Sequence, residues 1–322
     1  MKRVLVIGGG GMLGQKLAHR IAKKELFGPE AEVSLFDLSF PAHGAAGSEI
    51  TGNIAAPGVA KSLAAQRPDI IFHLAAIVSG QAETDFALGW DVNLFATWAL
   101  LNALKDEHEA SEGTYQPRLV FASSIAVFGA PFPNQIDDAF LSAPLTSYGA
   151  QKAASELMIT DFSRKGFIDG ISLRLPTLCV RPGKANAAAS SFFSGIIREP
   201  LNGVEALLPV AETVRHWHAS PRAAATFLTH AATLDTQLLN GRTAMNMPGV
   251  SCTVAEQIEA LRNAAGAEVV GLIKRDPDPA IASIVKNWPR DFRTDRAIEL
   301  GFEAESSFDE IIRVYLEDDF QR

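Results

Sequence analysis

The feature that most constrains this chain is a glycine cluster placed directly behind a short apolar run. Residues 4–7 read Val-Leu-Val-Ile; Gly8, Gly9, Gly10 and Gly11 follow, then Met12, Leu13 and Gly14. Four aliphatic residues closed by glycines predict a strand buried on both faces, as in a parallel sheet. Leu13, Leu17 and Ile21 then recur at helical spacing, so residues 12–24 are expected to form a helix. Gly8, Gly11 and Gly14 fit G-x-x-G-x-x-G between the two elements. Glycine is needed where a backbone turns tightly, where it approaches a pyrophosphate, and where a helix packs close to a strand. The start of the helix, with Met12 and Leu13, offers N–H groups and the positive dipole end to phosphates. In this strand–turn–helix setting the motif predicts a dinucleotide site.

A second strand over residues 33–36 ends at Asp37. A carboxylate there can accept hydrogen bonds from both ribose hydroxyls of NAD. It would repel the additional phosphate of NADP, and no arginine follows within a few residues, so NAD is the expected cofactor. Further buried strands are predicted at 70–74, 119–122 and 171–175, with helices at 91–104 and 150–164. This alternation predicts an α/β fold, a Rossmann-type doubly wound parallel sheet with helices on both faces. After Leu175 the composition changes: Pro176, Pro182, Gly183 and an alanine/serine stretch over 185–191 suggest loops and short helices. Helices are expected again at 254–265, stopped by Gly266, and at 308–316. The expected organisation is an NAD-binding domain over 1–175 and a smaller, mainly substrate-binding C-terminal lobe over 176–322, from which segments can return to the sheet.

The bulk numbers narrow the function classes. The chain has 322 residues, 47% hydrophobic and 20% charged, which is ordinary for a compact enzyme. A formal net charge of −8 with no basic run argues against a nucleic-acid or anionic-membrane partner. Cys179 and Cys252 belong to no Cys-x-x-Cys pair, so they read as buried thiols rather than a disulfide or zinc site. His216 and His218 have no carboxylate or third histidine at ligand spacing, and no metal is expected. The apolar run at the N-terminus is short and ends in glycines rather than a cleavage site, and no stretch has the length of a membrane span. A cytoplasmic enzyme is therefore expected.

The second constellation carries the chemistry. Tyr148 and Lys152 fit Y-x-x-x-K, one helical turn apart and thus on one face. A tyrosine near pKa 10 is a poor base at neutral pH, and an adjacent ammonium favours its phenolate. Ser124, at the end of a buried strand, can hold a substrate oxygen by a hydrogen bond.

Together these residues resemble the extended short-chain dehydrogenases, which include nucleotide-sugar epimerases, dehydratases and sugar-acid dehydrogenases. The resemblance covers nearly the whole chain. It rests on the glycine turn, Asp37, His73-Leu74-Ala75-Ala76, Val92-Asn93-Leu94, Ser123-Ser124 with Val127-Phe128-Gly129, and Tyr148 with Lys152. Phe128 stands where the family usually has tyrosine. The resemblance implies Ser124, Tyr148 and Lys152 as the catalytic residues, with Ser124 preferred over Ser123 by its distance from Phe128. It implies that Asn53-Ile54 contacts adenine, although the family usually has aspartate at the first position. Leu74, Ala75 and Ala76 would line the cofactor channel, Asn93 would be structural or support the lysine relay, and Pro176 and Thr177 would lie against the nicotinamide.

The segment from Leu173 to Lys184, Ser190-Ser191-Phe192-Phe193 and Val214-Arg215-His216-Trp217-His218 resemble the branch that oxidises the C2 hydroxyl of a four-carbon sugar acid to a 2-oxo acid. A small acid needs a cation for its carboxylate, and Arg181 and Arg215 are the candidates in these stretches. Arg174, inside a strand, reads as structural. Ser79 could contact substrate hydroxyls, and Thr177 is a further candidate for binding the substrate. A nucleotide-sugar epimerase or dehydratase that retains NAD is the alternative, and a non-catalytic NAD-binding regulator a second one. The resemblance also implies a homodimer, built on the helix after Asp91 and the helix bearing Tyr148.

Overall fold

The computed structural model describes residues 1–23, 26–45, 47–183 and 190–320. Lys24, Lys184 and the alanines of the 185–189 stretch lie outside the described residues. The chain opens with β1 (Arg3–Ile7), α1 (Met12–Lys23), β2 (Glu32–Asp37), β3 (Ser48–Thr51), α2 (Val59–Ala64) and β4 (Ile70–His73). Then come α3 (Ser79–Thr84), α4 (Phe86–Trp90), a π-helical turn (Asp91–Phe95), α5 (Ala96–Ala110) and β5 (Arg118–Ser124). A 3-10 turn (Ile125–Val127), α6 (Ser147–Arg164) and β6 (Asp169–Leu175) follow.

The next elements are β7 (Thr177–Leu178), α7 (Ser191–Leu201), β8 (Ala206–Leu208), β9 (Arg215–Ala219), α8 (Pro221–Ala231) and β10 (Ala244–Asn246). Last come β11 (Val250–Thr253), α9 (Val254–Ala265), α10 (Ala267–Val270), β12 (Ile273–Arg275), α11 (Pro279–Val285), α12 (Asp295–Glu299) and α13 (Phe308–Asp318).

These elements form two compact units. The first comprises Met1–Val127, Thr146–Arg174 and Ala225–Met245; the second comprises Phe128–Leu145, Leu175–Ala224 and Asn246–Arg322. The first is built on the seven-stranded sheet ordered β10-β6-β5-β4-β1-β2-β3. Successive strands from β3 through β5 pair in parallel. The Rossmann-type α/β fold expected from the alternating pattern is the one observed. β1 is flanked by β2 on one side and β4 on the other, so the strand order reverses at β1, where open α/β sheets bind ligands beyond the strand ends. The register aligns those ends: Ile7 lies beside Phe36 and His73, and His73 beside Phe121. Gly8, Asp37, Leu74 and Ser124 therefore emerge at one edge of the sheet. Leu5, Ile7, Ile71, Leu119 and Phe121 pack against Leu100, Leu104 and Ile159 beneath it.

One local expectation is corrected. The apolar spacing over 91–104 predicted a single helix, whereas residues 91–95 form a π turn before α5 begins. A π turn carries one residue more per turn than an α-helix, which shifts side-chain directions and is common at functional sites. Here it accompanies a buried, fully bonded Asn93, described below.

In the second unit a three-stranded sheet, β11-β9-β7, and a two-stranded one, β12-β8, enclose a core that includes Phe193, Ile197, Leu208, Ile258, Leu261 and Ile312. α9 spans the residues expected of it, and Thr253 and Glu256 form a reciprocal capping box at its start. Cys179 and Cys252 are free and buried in this core, and burial pushes both thiols up to about 12. Among the described residues no helix is long and apolar enough to cross a membrane.

Candidate active site

The glycine turn connects β1 to α1. Gly8 takes a positive φ of 94° and lies so close to the next loop that a Cβ there would be 2.6 Å from the nitrogen of Ala75. At Gly14 a Cβ would meet the oxygen of Gly8 at 2.2 Å. Gly11 differs: its nearest neighbour would be the oxygen of Gly8 at 3.5 Å, and the residue is exposed. Two of the motif glycines thus let protein segments approach each other, and the third leaves open space over the first turn of α1. There the N–H groups of Met12 and Leu13 have no helical carbonyl behind them. Asp37 ends β2, its carboxylate accepting from the N–H of Gly10 (2.9 Å) and of Leu38 (2.7 Å). A carboxylate has about four lone-pair sites, so capacity remains for ribose hydroxyls. The open glycine, the free helix start and this carboxylate suit a dinucleotide with an unphosphorylated adenosine ribose.

The end of β5, at the same edge of the sheet, holds the second group of residues. α6 starts at Ser147, with Thr146 accepting the N–H of Gly149 and Glu83 of α3 accepting the N–H of Ser147. Tyr148 lies in its first turn and Lys152 one turn on. Lys152 is 1% exposed; its Nζ donates to the carbonyl oxygen of Ala122 (2.9 Å) and lies 4.5 Å from the Phe121 ring centre and 5.7 Å from that of Tyr148. Burial lowers its pKa to about 7, and the nearby Glu156 carboxylate acts in the opposite direction. Ser124 ends β5, and its Oγ accepts from the N–H of Ala126 (3.1 Å), leaving its O–H to donate.

Two buried networks hold this arrangement. Arg174 of β6 donates through Nε and Nη2 to both oxygens of Glu156, which also accepts the Ser123 hydroxyl. Glu156 lies one turn beyond Lys152, and Ser123 lies between Ala122 and Ser124, so the pair binds α6 to the end of β5. Asn93 accepts from the N–H of Ile77 (2.7 Å) and donates to the oxygens of Ile77 (3.1 Å) and Gln151 (2.7 Å). It therefore clamps the loop carrying Leu74, Ala75 and Ala76, all half-buried, to α6. His73, at the end of β4, shares a hydrogen bond with the Thr97 hydroxyl (2.9 Å), and burial, with Lys152 nearby, lowers its pKa to about 3.

The comparison with known protein families decides the assignment: residues 4–218 match the model of the NAD dependent epimerase/dehydratase family. The chain belongs to the NAD-dependent epimerase/dehydratase family. NAD is its cofactor, and it is an NAD-dependent oxidoreductase. Among its relatives, D-erythronate dehydrogenase of Cupriavidus necator is 43% identical over 98% of both chains. D-erythronate dehydrogenase of Haemophilus influenzae is 38% identical over 98% of this chain and 99% of its own. A crystal structure described as the nucleoside-diphosphate-sugar epimerase from Agrobacterium tumefaciens superimposes with a TM-score of 0.93, at 52% identity, covering 98% of this chain and 94% of that one.

The other residues expected at a family site are placed as follows. Asn53 is exposed and accepts the N–H of Ala55, while the Ile54 side chain is buried in the sheet core, so a ligand could meet only the backbone at that point. Ser79 opens α3, whose Glu83 caps α6. In the second unit Pro176 is buried and Thr177 half-buried. Arg181 donates to the oxygens of Leu178 (3.0 Å) and Ser190 (3.1 Å). Arg215 is engaged by the Glu256 carboxylate (3.1 Å) and the Ser251 carbonyl (2.9 Å), so a second carboxylate would have to displace them. The sequence did not announce the Glu156–Ser123 link, and for Asn93 the resemblance implied a structural role or one in the lysine relay without naming its partners. No local spacing announces them, apart from the placement of Glu156 four residues after Lys152.

Proposed function

We propose that this family member oxidises the C2 hydroxyl of a small sugar acid, D-erythronate to 2-oxo-D-erythronate, using NAD. The observation that supports the chemistry best is the buried Lys152, held against Ala122 and the Tyr148 ring on one strand–helix pair with Ser124. The observation that supports the substrate is end-to-end likeness to two relatives named for it. The glycine turn and Asp37 would hold NAD, which when bound supplies the hydride acceptor. Tyr148 as phenolate takes the proton of the C2 hydroxyl, the Lys152 charge favours that phenolate, and the Ser124 O–H donates to the substrate oxygen. The C–H electron pair leaves with its hydrogen, and the carbon is left as a ketone. Of the two arginines, Arg215 already meets the Glu256 carboxylate, so Arg181 is the preferred partner for the substrate carboxylate. Mixing the enzyme with NAD and D-erythronate should raise NADH absorbance; a flat trace would overturn the assignment.

The description carried by the Agrobacterium structure favours a second reading, epimerisation of a nucleotide sugar with NAD retained. That reading requires NAD to stay bound through purification and a nucleotide sugar to change configuration without net NADH. A non-catalytic NAD-binding regulator would show neither activity.

The chain is further proposed to dimerise through α5 and α6. Phe95, Trp98 and Leu157 are 55%, 48% and 74% exposed, respectively, and Trp98 packs edge-on to Phe162 at 5.8 Å. Large apolar side chains grouped at a helix pair mark an association surface. Light scattering should give twice the chain mass, and Leu157→Lys should return it to the monomer.

A further inference from the structure

Lys152 and Glu156 stand one turn apart on α6, so their side chains share one face of the helix. A lysine and a carboxylate at that spacing ordinarily pair with each other. Here both are engaged elsewhere. Lys152 Nζ donates to the carbonyl oxygen of Ala122 and lies against the rings of Phe121 and Tyr148. Both Glu156 oxygens accept from Arg174 of β6, and Oε1 also accepts the Ser123 hydroxyl. Lys152, Glu156 and Arg174 are all buried, so water screens their charges weakly. Of the other groups packed around α6 near Lys152, His73 of β4 is kept neutral by burial. Asn93 and Thr97, buried on the π turn and α5, are uncharged. Glu83 of α3 meets α6 at Ser147, more than a turn before Lys152.

The charge beside the Tyr148–Lys152 pair is therefore that of an ion pair, with a net value of zero. We infer that Arg174 withholds the Glu156 carboxylate from Lys152, and that this balance sets the pH at which the Tyr148–Lys152 pair gives up a proton. A Glu156 left alone would draw the ammonium into a salt bridge and make both Tyr148 and Lys152 hold their protons more tightly. An Arg174 left alone would drive those protons off. With the two charges cancelled, the lysine stays on β5 beside the phenol, and burial brings it down to about 7. That is the range in which a proton can be exchanged at neutral pH. Glu156 and Arg174 act through Lys152 and are positioning residues; their role rests on the Ser124–Tyr148–Lys152 chemistry proposed above.

The test follows kcat/KM for D-erythronate, with NAD, against pH. In Glu156→Gln the pair gains a net positive neighbour, and the acid limb should move down by about one pH unit; in Arg174→Met it should move up by about as much. The double variant is neutral again at that point and should return the limb to within about half a pH unit of the wild type. A limb that stays in place in both single variants, or moves the same way in both, would overturn the inference. Either single variant can fail to fold, so carbon NMR of the lysine side chains in the unliganded protein supplies a second measurement. The resonance lost in Lys152→Met should titrate well below the ordinary lysine value of about 10 in the wild type and in the double variant alike. Titration at the ordinary value in either protein would overturn the inference. Absence of turnover by the wild type on D-erythronate would instead count against the proposed function, and the NMR titration would still decide the state of Lys152.

Discussion

Lys152 donates its ammonium to the carbonyl oxygen of Ala122, at 2.9 Å, two residues before Ser124 on the same strand. That bond places the amine beside the Tyr148 ring and sets the first prediction. Tyr148→Phe should lower kcat by roughly a hundredfold to ten-thousandfold, the range for loss of a general base. Lys152→Met should lose a similar amount, and Ser124→Ala about a hundredfold or more. Initial rates with NAD check this; retained turnover in Tyr148→Phe would remove the mechanism.

Gly11 and Gly14 should respond oppositely to the same added methyl group. At Gly14 a Cβ would lie 2.2 Å from a backbone oxygen, so Gly14→Ala should destabilise the fold by about 1–3 kcal/mol. At Gly11 there is room for it. Gly11→Ala should leave the melting temperature nearly unchanged yet weaken NAD binding by roughly tenfold or more, since the methyl occupies the approach to the helix start. Calorimetric melting and NAD titration separate the two effects, and a Gly11→Ala variant with native affinity would count against a phosphate at that turn.

Asp37 links cofactor choice to the turn itself, because it also holds the N–H of Gly10. Asp37→Asn keeps an acceptor and removes the charge. Its kcat/KM with NAD should fall about tenfold or more, and the ratio of NADP to NAD efficiency should rise. An unaltered ratio would show that another residue reads the ribose.

The Glu156–Arg174 pair is buried, with side chains 4% and 9% exposed. Breaking it from one side leaves an uncompensated charge, so Glu156→Gln and Arg174→Met should each cost about 3–5 kcal/mol. The double variant should cost much less than the sum of the two. Urea unfolding of the three variants gives the coupling; simple additivity would mean that the two charges do not depend on one another.

Three buried imidazoles predict acid sensitivity. Burial lowers His73 to about 3 and His216 to about 4, and lowers His218 as well. Their folded pKa values lie below the unfolded value near 6.5. Above that pH they contribute nothing. As the pH falls below it, the unfolded chain binds protons that the folded chain refuses, and stability drops by up to about 1.4 kcal/mol per pH unit for each ring. Unfolding at pH 5 should therefore be easier than at pH 7 and should take up protons, measurable by calorimetry in buffers of different ionisation enthalpy. Proton release on unfolding at pH 5 would contradict it.

Much of the first unit was legible in the chain because its signals are local. The apolar run before Gly8, the helical spacing after it, Asp37 at a strand end, and Tyr148 one turn before Lys152 each follow from a short-range period or a residue's own stereochemistry. The family membership of the chain follows from the same stretches. Tertiary structure alone decided which distant groups meet. Glu156 reaches Ser123 and Arg174 because β5 and β6 lie side by side under α6, and Thr177 finds His216 39 residues away and, through it, Pro289 another 73 residues on. The return of Ala225–Met245 to the first unit and the turn of Asn93 inward are of the same kind. Buried polar groups must find partners wherever the packing presents them, and that search runs through space, which no periodicity along the chain records.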